Sequence, residues 1–150
     1  MRVVIQRTTE ADVIIDNRIH SSIKKGLVIL AGIEENDDYN DVEWIAGKVI
    51  SMRIFNDENH VPNLSVLDIK GDILVVSQFT LHASIKKGNR PGYTKAARPE
   101  KAIPLYEQFI ALLENHLGKK ISTGIFGADM KVKLVNDGPL TIIMDSKNRE

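Results

Sequence analysis

Asp72-Ile-Leu-Val-Val-Ser-Gln-Phe79 is a nearly continuous apolar run within a chain of 150 residues. Strands that are buried on both faces have this pattern, whereas strands with one face in water alternate apolar and polar residues. The run therefore predicts a strand in the middle of a sheet. Its polar end, Ser77-Gln78, falls where the chain must turn, and strand ends commonly present functional groups.

The residues before this run predict more strands and a first helix. Short β-branched segments at 3–7, 12–16, 19–23 and 27–32 are separated by turn residues. From Asp38 the apolar spacing becomes helical, and Asp37 or Asp38 is the expected N-cap. Trp44 lies off the apolar face, as either a partly covered helix edge or an interface anchor. The face itself consists of Val42, Ile45, Ala46, Val49 and Ile50.

The residues after the run predict a second helix and two further strands. The helix spans 99–117 and stops at Gly118, although Pro104 predicts a kink or a later start. Its expected apolar side consists of Ile103, Tyr106, Ile110, Leu113 and Leu117. Strands return at 131–135 and 141–144. The order of elements predicts a single α+β domain over residues 1–150, with a mixed sheet and two main helices.

Composition excludes several classes of protein. The chain has no cysteine, which rules out disulfides, thiolate nucleophiles and zinc held by cysteine. Its longest apolar run, residues 27–33, is far shorter than the roughly 20 residues of a membrane span. Only residues 3–5 between Arg2 and Arg7 are apolar, so no signal peptide is expected. These features predict a cytoplasmic protein with no membrane partner.

The charges cancel in total but are unevenly distributed. Lys plus Arg and Asp plus Glu each number 20. Six acidic residues and no basic one lie between Glu34 and Glu43, whereas residues 86–101 carry six basic residues against Glu100 alone. The basic residues are Lys86, Lys87, Arg90, Lys95, Arg98 and Lys101. This segment either follows a phosphate backbone or is a solvated loop without a partner.

Common catalytic motifs are absent, and two segments remain as candidates. The sequence has no Gly-x-Ser-x-Gly, no phosphate-binding loop and no His pair at metal-ligand spacing. Gly124-Ile-Phe-Gly127 has the Gly-x-x-Gly spacing of KH domains but lies between strand-like segments, not between helices. Ser77-Gln-Phe-Thr-Leu81 is either a functional strand end or an ordinary one. Asn136-Asp-Gly-Pro139 is either a functional loop or a tight turn between two strands.

At these segments the sequence resembles the D-aminoacyl-tRNA deacylase family over essentially its whole length. Ser77 and Phe79 favour the D-specific class over a related family that replaces both. Leu140 departs conservatively from the family's usual valine. Five blocks in the family's order carry the match: Met1-Arg-Val-Val-Ile-Gln-Arg7, Ser77-Gln-Phe-Thr-Leu81, Lys87-Gly-Asn-Arg-Pro91, Phe126-Gly-Ala-Asp-Met130 and Asn136-Asp-Gly-Pro-Leu-Thr141.

The resemblance implies a strand-rich, barrel-like mixed sheet and an esterase that acts on D-aminoacyl-tRNA. The catalytic segment would be Ser77, Gln78, Phe79 and Thr80, with the N–H groups of Phe79 and Thr80 as an oxyanion hole. Attack by water, assisted by the ribose 2′-hydroxyl, needs no protein base, while a Thr80 nucleophile is the alternative. Neither a cofactor nor a metal ion is expected.

The same resemblance implies how the hand of the amino acid is selected. A cis Gly138-Pro139 peptide would enter the active site of the partner subunit of a homodimer, so that the active sites lie at the subunit interface. Arg7 would hold the neighbour's Gly-Pro loop, and Phe126 and Met130 would surround the terminal adenosine. Lys86, Lys87 and Arg90 would contact the tRNA backbone. A non-catalytic tRNA- or RNA-binding module on the same fold is the alternative.

Overall fold

A computed structural model describes residues 1–86 and 88–150 of the chain. Lys87, one of the predicted tRNA-contacting residues, lies outside the described residues. The main helices and strands, in chain order, are β1 (Arg2–Ile15), β2 (Arg18–Ile23), β3 (Gly26–Gly32), α1 (Tyr39–Ser51), β4 (Phe55–Asn56), β5 (Pro62–Leu64), β6 (Asp72–Ser77), α2 (Pro99–Leu117), β7 (Ser122–Thr123) and β8 (Lys131–Asp145).

Strand β6 lies inside the sheet, as its apolar run predicts. It pairs in parallel with β3 on one side and with β7 on the other. Ile73 and Val75 belong to the core beneath the helices, while Leu74 and Val76 belong to a second core on the opposite face. Both faces of β6 are therefore covered, which explains why its sequence does not alternate.

Strand β1 is a single strand, so the prediction of two separate strands at 3–7 and 12–16 is wrong. Along one edge it pairs first with β3 and then with β2, and along the other edge it pairs with β8. Its pairing with β8 shifts register between Thr8 and Ala11. Such a bulge bends a strand without ending it. Its polar residues interrupt the apolar pattern, so the pattern predicts two strands where the structure has one.

Strand β8 is also continuous, so Asn136-Asp-Gly-Pro139 does not join two strands through a tight turn. Asn136 pairs with Thr8 and Thr141 pairs with Gln6, so both halves of β8 lie along the same strand. Between these pairs β8 advances by five residues while β1 advances by two. The extra residues of β8 form a large bulge, which projects the Gly138-Pro139 peptide out of the ladder without reversing the chain.

The sheet curves until it is nearly closed, which gives the predicted barrel-like shape. Its path runs β2-β1-β3-β6-β7, and β8 is attached to β1. The short strand β7 returns to β2, where the Ser21 hydroxyl donates to the Thr123 carbonyl at 2.9 Å. The Ser122 hydroxyl likewise donates to the Ser22 carbonyl at 3.3 Å. The structure is an α+β fold with a curved mixed sheet and two main helices.

Both helices pack on the face of the sheet to which Ile73 and Val75 of β6 contribute. Asp38 caps α1 and forms a capping box with Asp41. Helix α2 has the predicted bounds, Pro99–Leu117, and runs through Pro104, so of the two alternatives for this proline the later start is excluded. Pro104 faces solvent, where its missing N–H leaves no buried acceptor unpaired. Neither α1 nor α2, among the described residues, is both long and apolar enough to cross a membrane.

The buried face of α2 differs by about one residue from the predicted one. Tyr106 and Leu113 are buried as expected, but Ile103, Ile110 and Leu117 are only partly covered. The remaining buried positions are Ala102 and Phe109. In α1, Trp44 is half-buried at the helix edge, and the Arg149 guanidinium lies 4.6 Å from the centre of its ring.

Candidate active site

The chain turns sharply at the end of β6 and leaves two backbone donors free. The Gln78 N–H makes the last sheet contact, to the Ala31 carbonyl at 2.7 Å. Phe79 and Thr80 then open a single 3-10 turn that ends at His82. Within residues 1–86 and 88–150, neither the Phe79 N–H nor the Thr80 N–H donates a hydrogen bond. Two adjacent free donors of this kind can stabilise a developing negative charge.

Side chains of the turn itself and of β1 hold this turn in place. The Gln78 Nε2 donates to the Thr80 Oγ1 at 2.6 Å. The Arg2 guanidinium, across the sheet, donates to the Leu81 carbonyl at 2.8 Å and also pairs with Asp145. The strand end is therefore held from both sides, which keeps its free N–H groups in a fixed direction.

The predicted catalytic segment and the predicted adenosine-binding residues meet in one cavity of about 280 Å³. Ser77, Gln78 and Phe79 form one wall, and Phe126 and Met130 form another. Thr80 is not among the lining residues described. The other lining residues are Ala31, Ile33, Val76, Ala97, Ala102, Tyr106, Gly127, Ala128, Asp129 and Val132.

Tyr106 forms part of the cavity wall and supports its aromatic side. Its hydroxyl donates to the Val75 carbonyl at 3.1 Å, and burial raises the pKa of Tyr106. The Phe126 ring packs edge-on against Tyr106, with 5.9 Å between the ring centres. The spacing of Tyr106 predicts only a position on the apolar face of α2, because spacing does not show that a core residue also borders a cavity.

The two glycines of Gly124-Ile-Phe-Gly127 have local structural roles. A Cβ at Gly124 would collide with the Sδ of Met130, so glycine makes room for that side chain against the sheet. The Gly124 N–H donates to the Val75 carbonyl at 3.1 Å. Gly127 has a φ of 77°, which glycine adopts readily. The segment thus shapes the cavity wall, and it does not lie between two helices as in a KH domain.

Asp129 brings the only charge among the described residues that line the cavity. Its side chain is 95% exposed and lies 3.9 Å from the Lys131 ammonium. The rest of the lining is apolar or uncharged. A cavity with aromatic and thioether walls and few charges suits the flat face of a nucleobase.

The Gly138-Pro139 peptide is cis, as the resemblance implies, and both residues are exposed. Neither residue is among those that line the cavity of their own chain. The sheet register accounts for this separation. Ser77 pairs with Ala31, which pairs with Val3 near the start of β1, whereas Asn136 pairs with Thr8, five residues further along β1. One chain alone therefore does not bring the predicted selecting peptide to the predicted catalytic segment.

Arg7 lies against the Gly138-Pro139 bulge of its own chain. Its Nε donates to the Asp137 carbonyl at 3.1 Å and its guanidinium also donates to the Ile54 carbonyl at 2.5 Å. A Cβ at Gly138 would lie 3.0 Å from the Arg7 guanidinium. This contact within one chain was not predicted, and the expected contact with a neighbour's loop stays a prediction.

Asn136 supports the same bulge from the other side. Its Oδ1 accepts the Leu140 N–H at 2.9 Å, and its Nδ2 donates to the Thr141 hydroxyl at 3.0 Å. Together with Arg7, it bridges the ends of the bulge and holds the peptide between them. The residues of the bulge do not pair with β1, and the side-chain amide of Asn136 supplies a donor and an acceptor in place of that pairing.

The part of the basic segment between residues 88 and 98 forms a largely exposed loop that ends beside the cavity. Lys86 and Arg90 are exposed, and neither has an acidic partner within 4.0 Å in the described part of the chain. Ala97, at the end of the loop, lines the cavity and donates its N–H to the Ile33 carbonyl at 2.9 Å. The loop is thus anchored beside the cavity with its charges turned outwards.

In the described residues, none of the four histidine side chains makes a hydrogen bond to Phe79 or Thr80. His82 is buried, and its Nε2 has no hydrogen-bond partner among the described residues. His20, His60 and His116 are exposed. No three of the described His, Asp and Glu side chains converge to hold a metal ion.

The strand end with two free N–H donors borders, through Phe79, a cavity with aromatic walls, and such an arrangement suits acyl transfer on an ester that carries a flat ring system. Comparisons with known proteins identify the family. The model of the D-Tyr-tRNA(Tyr) deacylase family matches residues 4–145. This chain therefore belongs to the D-Tyr-tRNA(Tyr) deacylase family.

Relatives named D-aminoacyl-tRNA deacylase match over their full length. The one from Flavobacterium johnsoniae is 63% identical and the one from Bacteroides fragilis is 60% identical, each over 100% of both chains. A solved structure named c-Myc DNA Unwinding Element Binding Protein has a TM-score of 0.90 and 36% identity, covering 97% of this chain and 98% of its own.

A second solved structure shows how far the fold extends beyond sequence similarity. It is described as a probable eukaryotic D-amino acid tRNA deacylase and has a TM-score of 0.81 at 16% identity. The match covers 95% of this chain and 97% of that one. At this level of identity the likeness concerns the fold alone.

Proposed function

We propose that this protein hydrolyses the ester bond between a D-amino acid and the 3′-terminal adenosine of tRNA. The products are the free D-amino acid and tRNA. The observation that carries this proposal is the pair of free N–H groups on Phe79 and Thr80, beside a cavity walled by Phe126 and Met130. Membership of the deacylase family supports it over the full chain.

The cavity suits the terminal adenosine. Phe126 presents an aromatic surface on which adenine can stack, and Met130 fills the remaining space with a polarisable thioether. With an adenine held there, the ribose and its ester would extend towards Ser77 and Gln78, which line the same cavity. Gln78 would then position the ribose as well as brace Thr80.

The free N–H groups supply the electrostatic part of catalysis. When a water oxygen attacks the ester carbonyl, the carbonyl oxygen becomes negatively charged, and the Phe79 and Thr80 N–H groups donate to it. One such donor contributes about 10²–10³ in rate. Collapse of the intermediate breaks the bond to the ribose oxygen, which takes the proton that the attacking water has given up and leaves as the tRNA hydroxyl.

Water, and not Thr80, is the nucleophile that the geometry favours. The group within hydrogen-bond distance of the Thr80 Oγ1 is the Gln78 amide, which cannot accept a proton as a base. His82 is buried and makes no hydrogen bond to Thr80. The ribose 2′-hydroxyl of the substrate can instead assist the attacking water.

Selection for the D form would come from the Gly138-Pro139 backbone of a second subunit. Its carbonyls would accept hydrogen bonds from the substrate ammonium group, and an L side chain would collide with the peptide. A thousandfold preference corresponds to about 4 kcal/mol, which a backbone clash can supply. Glycine has no side chain to collide, so glycyl-tRNA would be a side substrate.

A homodimer is needed for this arrangement, and the surface of β8 supports one. In the described chain β8 has β1 as its only strand partner, which leaves its outer edge free. Ile143 is 68% exposed on β8, and Val135 is also exposed. Long exposed edges with apolar residues tend to be covered by another chain.

The cytoplasm, where aminoacyl-tRNA is used, is the compartment we propose.

Ester loss from D-tyrosyl-tRNA tests the proposed reaction. The purified protein should release tyrosine at a rate proportional to enzyme concentration, and Phe126→Ala should raise KM because adenine loses its stacking surface. Phe126→Tyr keeps that surface and should retain activity. Binding of tRNA without ester loss would instead support the alternative of an RNA-binding module.

A further inference from the structure

Two aromatic side chains are exposed just outside the cavity. Phe79 is 55% exposed and Tyr93 is 39% exposed. Their rings pack edge to face, with 5.0 Å between the centres and 74° between the planes. Phe79 lines the cavity, whereas Tyr93 is not among its lining residues, so the pair extends the aromatic surface from the cavity onto the outer face of the protein.

The backbone on both sides of Tyr93 is held in place. Gly92, directly before it, exchanges two hydrogen bonds with Ser84, at 2.8 and 2.9 Å. The Tyr93 carbonyl accepts the Ala96 N–H at 3.0 Å, and the Lys95 carbonyl accepts the Glu35 N–H at 3.2 Å. The backbone that carries the exposed ring is therefore held by hydrogen bonds on both sides of Tyr93.

The charge around this ring points to a phosphate-bearing ligand. Arg90 precedes Tyr93 by three residues, Lys95 follows it by two, and Arg98 lies beyond. All three are exposed, and none is within 4.0 Å of an acidic group among the described residues. Aromatic rings interleaved with unpaired cations are the common means of binding single-stranded nucleic acid.

We infer that Tyr93 and Phe79 form a stacking site for the base of the nucleotide that precedes the terminal adenosine. This inference rests on the proposed function, because the adenosine in the cavity sets where the preceding nucleotide lies. The strand leaves the cavity past Phe79, its base stacks on the Tyr93 ring, and its phosphates face the loop cations. Stacking uses the face of the base and needs no contact with its edges, so exposed aromatic rings alone can hold a base there.

Two esters that differ only in length test the inference. One is the D-tyrosyl ester of adenosine, and the other is the D-tyrosyl ester of the trinucleotide CpCpA. We expect wild type to have the higher kcat/KM on the trinucleotide. Tyr93→Ala should lower the ratio of the two kcat/KM values by about 5- to 150-fold, which corresponds to one lost stacked base. Tyr93→Trp should preserve the ratio.

Two controls separate stacking from other roles. Tyr39 is a similarly exposed tyrosine at the start of α1, and Tyr39→Ala should leave the ratio unchanged. A trinucleotide whose middle residue is abasic should remove the difference between wild type and Tyr93→Ala. An unchanged ratio in Tyr93→Ala, or an equal fall of kcat/KM on both esters, would overturn the inference.

The test also separates this inference from the proposed reaction. If wild type hydrolyses neither ester, the proposed function fails. Binding of unesterified CpCpA and of adenosine, followed by tyrosine fluorescence or calorimetry, then tests the stacking site directly. Tyr93→Ala should weaken trinucleotide binding more than adenosine binding, and equal weakening would overturn the site.

Discussion

Arg7 and Asp137 are joined by two contacts from one guanidinium: the Arg7 Nε lies 3.1 Å from the Asp137 carbonyl oxygen and 3.3 Å from the Asp137 carboxylate. They are 130 residues apart in sequence but adjacent across the β1–β8 pairing. Asp137 immediately precedes the Gly138-Pro139 peptide. A charged donor thus fixes the position of the peptide to which we assign chiral selection.

Arg7→Lys should impair the enzyme chiefly in its selectivity. Lysine keeps the charge but cannot bond the Asp137 and Ile54 carbonyls together, because it lacks the planar fork of the guanidinium. Loss of one charge-assisted bond of roughly 1.5–3 kcal/mol corresponds to a fall of about 10- to 150-fold in the D-over-L ratio of kcat/KM. Arg18→Lys, at an exposed position on β2, is the matched control. Equal D-over-L ratios in wild type and Arg7→Lys would contradict this role.

Thr80→Val should retain most of the hydrolytic rate if water is the nucleophile. Valine removes the hydroxyl that accepts from Gln78 but keeps the Thr80 backbone N–H. We expect a fall of about tenfold or less in kcat on D-tyrosyl-tRNA, from looser positioning of the strand end. Complete loss of turnover, or trapping of an acyl group on Thr80 in wild type by mass spectrometry, would instead establish covalent catalysis.

Gly124→Ala should destabilise the protein by about 1–3 kcal/mol. The added methyl group would occupy the position of the Met130 Sδ, and packed sites relax only at such a cost. Urea unfolding measures the change. Gly47→Ala is the control, since a Cβ there meets nothing within 4 Å and alanine favours the interior of α1. A Gly124→Ala protein as stable as wild type would contradict the described position of Met130.

Tyr106→Phe should cost about 0.5–1.5 kcal/mol of unfolding free energy. The variant loses the hydrogen bond to the Val75 carbonyl, but this oxygen keeps the Gly124 N–H as a donor. Tyr39→Phe, at an exposed position, should change nothing measurable. The phenylalanine ring still supports Phe126, so KM for D-tyrosyl-tRNA should change by less than the Phe126→Ala variant changes it.

Stability should fall between pH 4 and pH 2 in a way that depends on Asp41. Burial alone would raise the pKa of Asp41, but hydrogen bonds from Lys147, the Asp38 N–H and Ser146 outweigh it and lower the pKa to about 2. Because the folded pKa is below the ordinary value of 3.8, the stabilisation is present above pH 4 and is lost as the pH falls towards 2. Urea unfolding of wild type and Asp41→Asn at several pH values should show a smaller acid dependence in the variant. Identical acid dependence would contradict this account.

The elements that the sequence predicts well are those whose burial is uniform. Strand β6 is covered on both faces, and its sequence is accordingly a continuous apolar run. Helix α1 has one buried face and begins at a capped end. Strands β1 and β8 were divided in the prediction because each contains a bulge. The residues of a bulge do not alternate between apolar and polar as strand residues do, so the sequence pattern at a bulge resembles that of a turn.

The residues of the candidate site were named from the sequence, whereas the contacts that bring them together were not, and their chemical roles stay predictions. Ser77-Gln-Phe79 and Phe126 meet in one cavity, as the resemblance implies. Tyr106 and Tyr93 were missed for opposite reasons. Tyr106 fits the core pattern of α2 so well that its second role is hidden, and Tyr93 lies in a loop that has no periodicity at all. Contacts between segments far apart, such as Arg7 with Asp137, need the sheet register, which the sequence does not supply.

The most direct test of the central claim compares D-tyrosyl-tRNA with L-tyrosyl-tRNA, using the same tRNA and the same enzyme preparation. Single-turnover rates of ester loss report on the chemical step without interference from tRNA release. We predict hydrolysis of the D ester at least about a thousandfold faster than that of the L ester, as expected for a backbone clash of about 4 kcal/mol. Equal rates for the two esters, or no loss of the D ester, would contradict the account.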